Sequence, residues 1–198
     1  MEYQLHLNKD KKLAPLLTQA KHVIKKRKNT PVRLMASIIS QQLSTKVAAI
    51  IFDRFVALYP AKKPTILKVL DTPVETLRGI GISYAKINYI YAVANFCLEH
   101  KITDKKLQGL SNQEIIELLT QIKGVGKWTV EMLLMFSLGR EDVFAVDDLG
   151  IQQAMIKLYH LDPTHKKQLK IDMLERSKAW SPYRTYACLH LWRWKDNP

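Results

Sequence analysis

Ile122-Lys123-Gly124-Val125-Gly126-Lys127-Trp128-Thr129 is the stretch from which the rest of this chain can be read. Apolar residues at helical spacing lie on both sides of two glycines set one residue apart, which reads as a hairpin joining two helices. Glycine admits backbone torsions that a side chain blocks, so successive amides can turn outward into a small anion nest. A helix begins directly after the turn, and a helix N-terminus favours negative charge in front of it. Lys123 and Lys127 flank the turn and Thr129 offers a hydroxyl. A packing turn is the competing reading, and a lone Gly-x-Gly would favour it. The flanking lysines and the charge of the whole chain favour phosphate.

That charge is the next observation outward. The 198 residues carry 31 Lys+Arg against 18 Asp+Glu, a formal net charge of +13. Solubility rarely needs such a surplus, and a polyanionic partner accounts for it. A membrane surface is the alternative, yet no Lys-rich amphipathic helix with a bulky apolar face stands out. No apolar run reaches membrane-spanning length, and Met1-Glu2-Tyr3-Gln4 lacks the order of a signal peptide, so a cytoplasmic, non-secreted protein is expected. The two cysteines, Cys97 and Cys188, fall short of a disulfide framework or a four-thiolate cluster and read as buried thiols.

Nearly the whole chain reads helical. Residues 11–28 put Leu13, Leu16, Leu17, Ala20, Val23 and Ile24 on one helical face and end in Lys25-Lys26-Arg27-Lys28. Pro31 opens a second helix with Leu34, Ile38 and Ile39 inward. Ser44 caps a third, running through Val47, Ile51, Phe55 and Leu58, and Pro60 and Pro64 close it. A longer helix covers 83–99, and Ser111 with Glu114 forms a capping box for the next. After the hairpin, Val130, Leu133, Leu134 and Phe136 continue a buried helix to Gly139. Helices over 148–159, 164–180 and 182–194 complete an all-α chain. Leu77-Arg78-Gly79-Ile80-Gly81 echoes the hairpin 45 residues earlier but lacks its flanking lysines and reads as a tight helix connection.

Asp147-Asp148 stands at a helix start, twenty residues beyond Trp128. Capping is the plain reading of such a pair. Both roles can hold together, with Asp147 capping and Asp148 presented for use. A carboxylate placed where the chain otherwise attracts phosphate is electrostatically costly, which argues for a use. Gln41-Gln42 interrupts two helices and, taken alone, is a solvated turn. Tyr183, Tyr186, Trp192 and Trp194 on a C-terminal amphipathic helix read as core, with room for one to line a pocket. Lys21 to Lys28 reads as a solvated helix end or an accessory contact to a nucleic-acid backbone. The six histidines show no metal-ligand spacing.

Taken together, four blocks resemble the helix-hairpin-helix base-excision DNA glycosylases, and within them the alkylated-base branch typified by 3-methyladenine DNA glycosylase II. The blocks are Ile38-Ile39-Ser40-Gln41-Gln42-Leu43-Ser44, the hairpin from Ile122 to Thr129, Val143-Phe144-Ala145-Val146-Asp147-Asp148-Leu149-Gly150-Ile151, and Trp180-Ser181-Pro182-Tyr183-Arg184 through Leu191-Trp192. They occur in the family's order. The resemblance implies two helical lobes, about 31–138 and about 1–30 with 139–198, with the active site between them, and no additional N-terminal α/β domain. It implies Asp148 as the catalytic aspartate with Asp147 supporting it. It implies Gln42, supported by Gln41, as the wedge that fills the gap left by a flipped base. Lys123, Gly124, Val125, Gly126 and Thr129 would hold DNA phosphate, and Trp128, Met132 and Trp192 would line the base pocket.

Trp128 stands where the family's strand-cleaving members carry a lysine nucleophile, and an indole cannot form a Schiff base. Lys127 is adjacent but about 100° round the helix. The resemblance therefore implies a monofunctional enzyme that uses water, acting on double-stranded DNA with damaged bases, as a monomer. A glycosylase/lyase and a non-catalytic DNA-binding module are the alternatives. No cofactor and no iron–sulfur cluster are expected; a sodium or potassium ion on the backbone carbonyls of Thr120, Ile122 and Val125 is a family possibility. Met132 departs from the tyrosine of some relatives, which bears on pocket selectivity.

Overall fold

A computed structural model describes residues 1–18 and 20–196, and among them the chain is helical with no strand. Thirteen α-helices follow in order: α1 (Glu2–Leu7), α2 (Ala14–Leu17), α3 (Thr30–Ser40), α4 (Thr45–Ala57), α5 (Ile66–Leu70), α6 (Val74–Gly79), α7 (Tyr84–Glu99), α8 (Asp104–Gln108), α9 (Asn112–Leu119), α10 (Lys127–Phe136), α11 (Leu149–Tyr159), α12 (Lys166–Ser177) and α13 (Arg184–Asp196). Short 3₁₀ turns cover Pro60–Lys62 and Lys178–Trp180. The caps read from the sequence at Ser44 and Ser111 act as expected. Ser44, Ser83 and Ser111 accept from the third residue of their helices, and Glu114 completes the box at Ser111.

One predicted helix is largely absent. Of the described residues in 11–28 only Ala14–Leu17 is helical, and residues 20–28 run without helix. Leu13, Leu16 and Leu17 are buried, but Val23 is 68% exposed and the lysines that follow lie in solvent. Beyond Leu17 the apolar Ala20, Val23 and Ile24 are at most half-buried, and helices this short gain little without packing. Instead, the His22 backbone N–H donates to the Tyr3 hydroxyl at 3.0 Å. The stripe on α4 is also narrower than expected: Phe55 is buried, while Val47 and Leu58 are exposed.

The chain divides into two compact units, Lys26–Leu133 and Met1–Lys25 with Leu134–Pro198. Expected at about 31 and about 138, the limits fall at 25/26 and 133/134, the second inside α10. The helix itself ends at Phe136, short of Gly139, and a packing boundary need not coincide with a helix end. In the unit Lys26–Leu133, α7 is the axis, packed by α3, α5 and α6. Its Ile87, Ile90, Val93, Ala94 and Cys97 are buried at three- and four-residue steps. The Asp104 carboxylate receives the backbone N–H groups of Asn29 and Thr30 and the Thr30 hydroxyl, tying the start of α3 to α8.

In the other unit α11 packs on α13, and α13 on α2. Ile151, Ala154 and Met155 face inward from α11, and Ala187, Cys188 and Leu191 from α13. Asp10 joins the two ends of the chain, accepting from the Tyr159 hydroxyl at 2.7 Å and from Trp180 Nε1 at 3.0 Å. Burial works to raise its pKa, but these bonds and the backbone N–H groups of Leu13 and Lys12 outweigh it and hold the carboxyl below its usual range.

Candidate functional site

The hairpin lies wholly in the unit Lys26–Leu133, between α9 and α10. Buried Ile122 and Val125 anchor it, and the Val125 N–H donates to the Ile122 carbonyl at 3.0 Å. The two glycines differ in what they are for. Gly124 has φ +88°, and a Cβ built there would lie 2.3 Å from the Tyr89 ring on α7, so this glycine is required by the fold. Gly126 is exposed, keeps an ordinary φ, and a Cβ there would meet nothing within 4 Å. Packing does not demand glycine at 126.

Some hairpin residues do not present what the sequence suggested. Thr129 is only 3% exposed, so its hydroxyl faces the core rather than a ligand. The Val125 N–H is spent inside the turn. Lys123 is exposed, and Lys127 pairs with Glu131 at 3.7 Å one turn along α10. Trp128 is 40% exposed and Met132, one turn on, half-buried. Gly81, with φ +102° between α6 and α7, has the earlier glycine pair in the expected tight connection.

Gln41 and Gln42 form the break between α3 and α4. Gln41 leaves the helix at φ −51°, ψ 131°, and its side-chain amide donates to the Gly124 carbonyl at 3.1 Å. Gln42 is exposed at φ +58°, in the left-handed region. The sequence missed Lys86, whose ammonium donates to the carbonyls of Ile39 at 2.8 Å and Gln41 at 2.7 Å. Nothing in its spacing marked it. A lysine inside an amphipathic helix ordinarily reads as solvated.

The acidic pair lies in the other unit. Buried Val143-Phe144-Ala145-Val146 leads to it, and the Gln152 side chain holds the Val146 carbonyl at 2.9 Å. Asp148, not Asp147, is the N-cap of α11: its Oδ1 accepts the Ile151 N–H at 2.9 Å. The same oxygen accepts Trp192 Nε1–H at 2.8 Å. Asp147 is exposed and ion-paired with Lys170 of α12. The expected division, with Asp147 capping, is thereby reversed, because a cap oxygen must reach the N–H three residues on. Asp148 is thus both the cap of α11 and the acceptor of the Trp192 indole.

Trp192 is half-buried, and the Phe136 ring lies 6.0 Å from it. Phe136 continues the four-residue step of Trp128 and Met132 along α10 but, at 41% exposed, is not the core residue its periodicity suggested. Gly150 was missed as well. A Cβ there would lie 3.1 Å from both Asp148 Oδ1 and Trp192 Cδ1, so glycine is what lets the indole close on the carboxylate. Tyr186 follows the core reading, stacked on Tyr3 with centroids 4.1 Å apart. Trp194 faces the Lys157 ammonium at 4.8 Å. Among the described residues no group of three or more His, Cys, Asp and Glu is placed to hold a metal, and no helix is long and apolar enough to cross a membrane.

Residues 35–179 match the family described as HhH-GPD superfamily base excision DNA repair protein. DNA-3-methyladenine glycosylase 1 of Schizosaccharomyces pombe is 40% identical over 162 residues, covering 81% of this chain and 70% of that protein. A DNA-3-methyladenine glycosylase of Saccharomyces cerevisiae is 32% identical over 193 residues, covering 82% of this chain and 65% of its own length. Among solved structures, the S. pombe 3-methyladenine DNA glycosylase in complex with abasic DNA superposes with a TM-score of 0.84 at 35% identity, over 98% of this chain and 96% of the other. A DNA-3-methyladenine glycosidase from Bacillus halodurans gives 0.82 at 36%, over 99% and 89%.

Proposed function

The chain belongs to the HhH-GPD superfamily of base excision DNA repair proteins, and from that premise we propose that it is a monofunctional DNA glycosylase. It hydrolyses the N-glycosidic bond of alkylated bases, 3-methyladenine and related lesions, in double-stranded DNA. The observation that carries this reading is Asp148, whose Oδ1 is held by two N–H donors, Ile151 from its own helix and Trp192 from α13. A carboxylate fixed in this way is preorganised before substrate arrives.

The chemistry follows from the substrate. Alkylation at a ring nitrogen makes the base cationic and a good leaving group, so little acid catalysis is needed. As the glycosidic bond breaks, positive charge grows on the sugar, which Asp148 stabilises while it orients or deprotonates the attacking water. An electron-rich indole face, that of Trp128 or of Trp192, selects a cationic base by cation–π contact, worth about 1–2 kcal/mol when desolvated. Extruding the base costs a few kcal/mol, less for a damaged and poorly stacked one, which adds selectivity. Gln42 takes the vacated place in the duplex. The amides of Gly124 and Gly126 with Lys123 grip phosphate, fixing register without reading sequence.

Trp128 supplies no amine for lyase chemistry, so strand cleavage is not part of this reading. Two cysteines cannot furnish the four thiolates of an iron–sulfur cluster. Carbonyls of Thr120, Ile122 and Val125 are the donors a monovalent cation would use at the hairpin. The enzyme is read as an intracellular monomer.

Release of methylated bases from methylated duplex DNA tests the proposal. Wild-type protein is expected to release 3-methyladenine. Asp148→Asn is expected to slow release by on the order of 10²–10³, and Asp147→Asn, which loses only an exposed ion pair, to stay within about twofold. No release by the wild type, or equal release by Asp148→Asn, overturns the glycosylase. A borohydride-trapped adduct with DNA overturns its monofunctional character.

A further inference from the structure

Helix α3 ends at Ser40, and the last carbonyls of any helix lack partners within it. Here the Lys86 ammonium takes up two carbonyls of that end, those of Ile39 and Gln41. Lys86 is itself fixed at its root. It lies in the first turn of α7, and its backbone N–H donates to the capping Ser83 hydroxyl at 3.4 Å. Burial pushes the ammonium's pKa down, so holding it there costs free energy that solvation would have spared.

The carbonyl of Gln41 belongs to the peptide that joins Gln41 to Gln42. Fixing it fixes the plane from which Gln42 departs at φ +58°, a conformation that costs a non-glycine residue roughly 1 kcal/mol or more. The Leu43 N–H closes the turn on the Ser40 carbonyl at 3.1 Å. From the other side, the Gln41 amide reaches the Gly124 carbonyl, 83 residues away in sequence. Gly124 in turn sits under the ring of Tyr89, three residues beyond Lys86 on the same helix. One face of α7 therefore holds both the turn carrying Gln42 and the hairpin.

We propose that Lys86 is a positioning residue for the duplex wedge at Gln42, and that Gln41 sets this wedge at a fixed span from the phosphate-gripping hairpin. The proposal rests on the glycosylase reading above. A wedge is useful only at a defined distance from the phosphates that set the register, and α7 supplies that distance as a rigid element.

Single-turnover excision of one alkylated base in two contexts, fully paired and in a bulge where the base is already unstacked, tests it. Lys86→Met is expected to lose at least tenfold on the paired duplex and less than threefold on the bulge, with Lys86→Arg recovering part of the loss. In a Gln42→Ala background Lys86→Met is expected to cost less than twofold more. Equal losses in the two contexts, or losses that simply add to that of Gln42→Ala, overturn the proposal and leave Lys86 a structural helix cap. If Lys86→Met is unfolded at the assay temperature, Gln41→Leu carries the same comparison: a loss confined to the paired duplex supports the proposal and an equal loss overturns it. A wild-type protein that excises from neither context overturns the glycosylase reading instead.

Discussion

Trp192 donates its indole N–H to Asp148 Oδ1 across 2.8 Å, so the aromatic residue and the carboxylate act as one unit. The sequence resemblance assigned them separate roles, base pocket and catalysis. The bond makes Trp192 a holder of the carboxylate. Trp192→Phe keeps an aromatic face and removes the donor. A hydrogen bond to a charged group is worth about 1.5–3 kcal/mol, so single-turnover excision should fall by roughly 10- to 100-fold with the melting temperature little changed. Loss of the same size for a neutral and a cationic lesion would locate the effect in Asp148 rather than in cation–π selection.

Gly150 gives the same relationship a second test. Its Cα faces the point where indole and carboxylate meet, 3.1 Å from either for an added Cβ. Gly150→Ala must push one of them away, and overpacking of this kind costs about 1–3 kcal/mol. Excision is expected to drop about tenfold or more. In the double variant with Trp192→Phe the losses should be well short of additive, because both act on one bond. Full additivity would mean that Gly150 matters for some other reason.

Why some of this was legible beforehand and some not comes down to range. Ser44 and Ser111 were readable as caps because a cap and its N–H lie three residues apart. The all-α class followed from apolar residues at steps of three and four. Asp148 was singled out by its block of neighbours, yet whether it or Asp147 capped α11 turned on an oxygen's reach that spelling alone does not give. Lys86, Gly150 and Phe136 escaped because each matters through a residue 45 or more positions away, or through a ring packed beside it. The helix over residues 11–28 was misjudged since periodicity reports a face without showing that anything lies against it.

The two hairpin glycines allow folding and binding to be tested apart. Gly124→Ala brings a methyl into the Tyr89 ring and imposes φ +88° on an L-residue, so a loss of several kcal/mol and a clear fall in melting temperature are expected. DNA binding would fall with it, uninformatively. Gly126→Ala meets no neighbour and should cost no more than about 1 kcal/mol, as for an alanine near a helix start. A folded Gly126→Ala protein whose affinity for undamaged duplex drops severalfold would place the phosphate grip at that amide. Unchanged affinity would move it elsewhere.

Acid stability should report His190. It is buried on α13, its ring centroid 4.5 Å from that of His22. Burial, followed by the charge of His22, pushes its pKa down to about 4 from the ordinary 6.5, and Arg193 acts in the same sense. The unfolded chain therefore takes up its proton near pH 6.5 and the folded one only near pH 4. Between those values the unfolded state binds more protons, so stability falls as pH falls. The contribution is complete above about 6.5, is lost progressively toward 4, and changes no further below that. Melting temperature should decline across pH 7 to 4.5, before Asp10, whose lowered carboxyl titrates in a more acid range, begins to matter. His190→Gln should reduce the slope by a few degrees over that interval. It should not abolish the slope, since His22 is also lowered, by burial first and then by Arg193. An unchanged slope in the variant would show that the imidazole at 190 reaches water in the native protein.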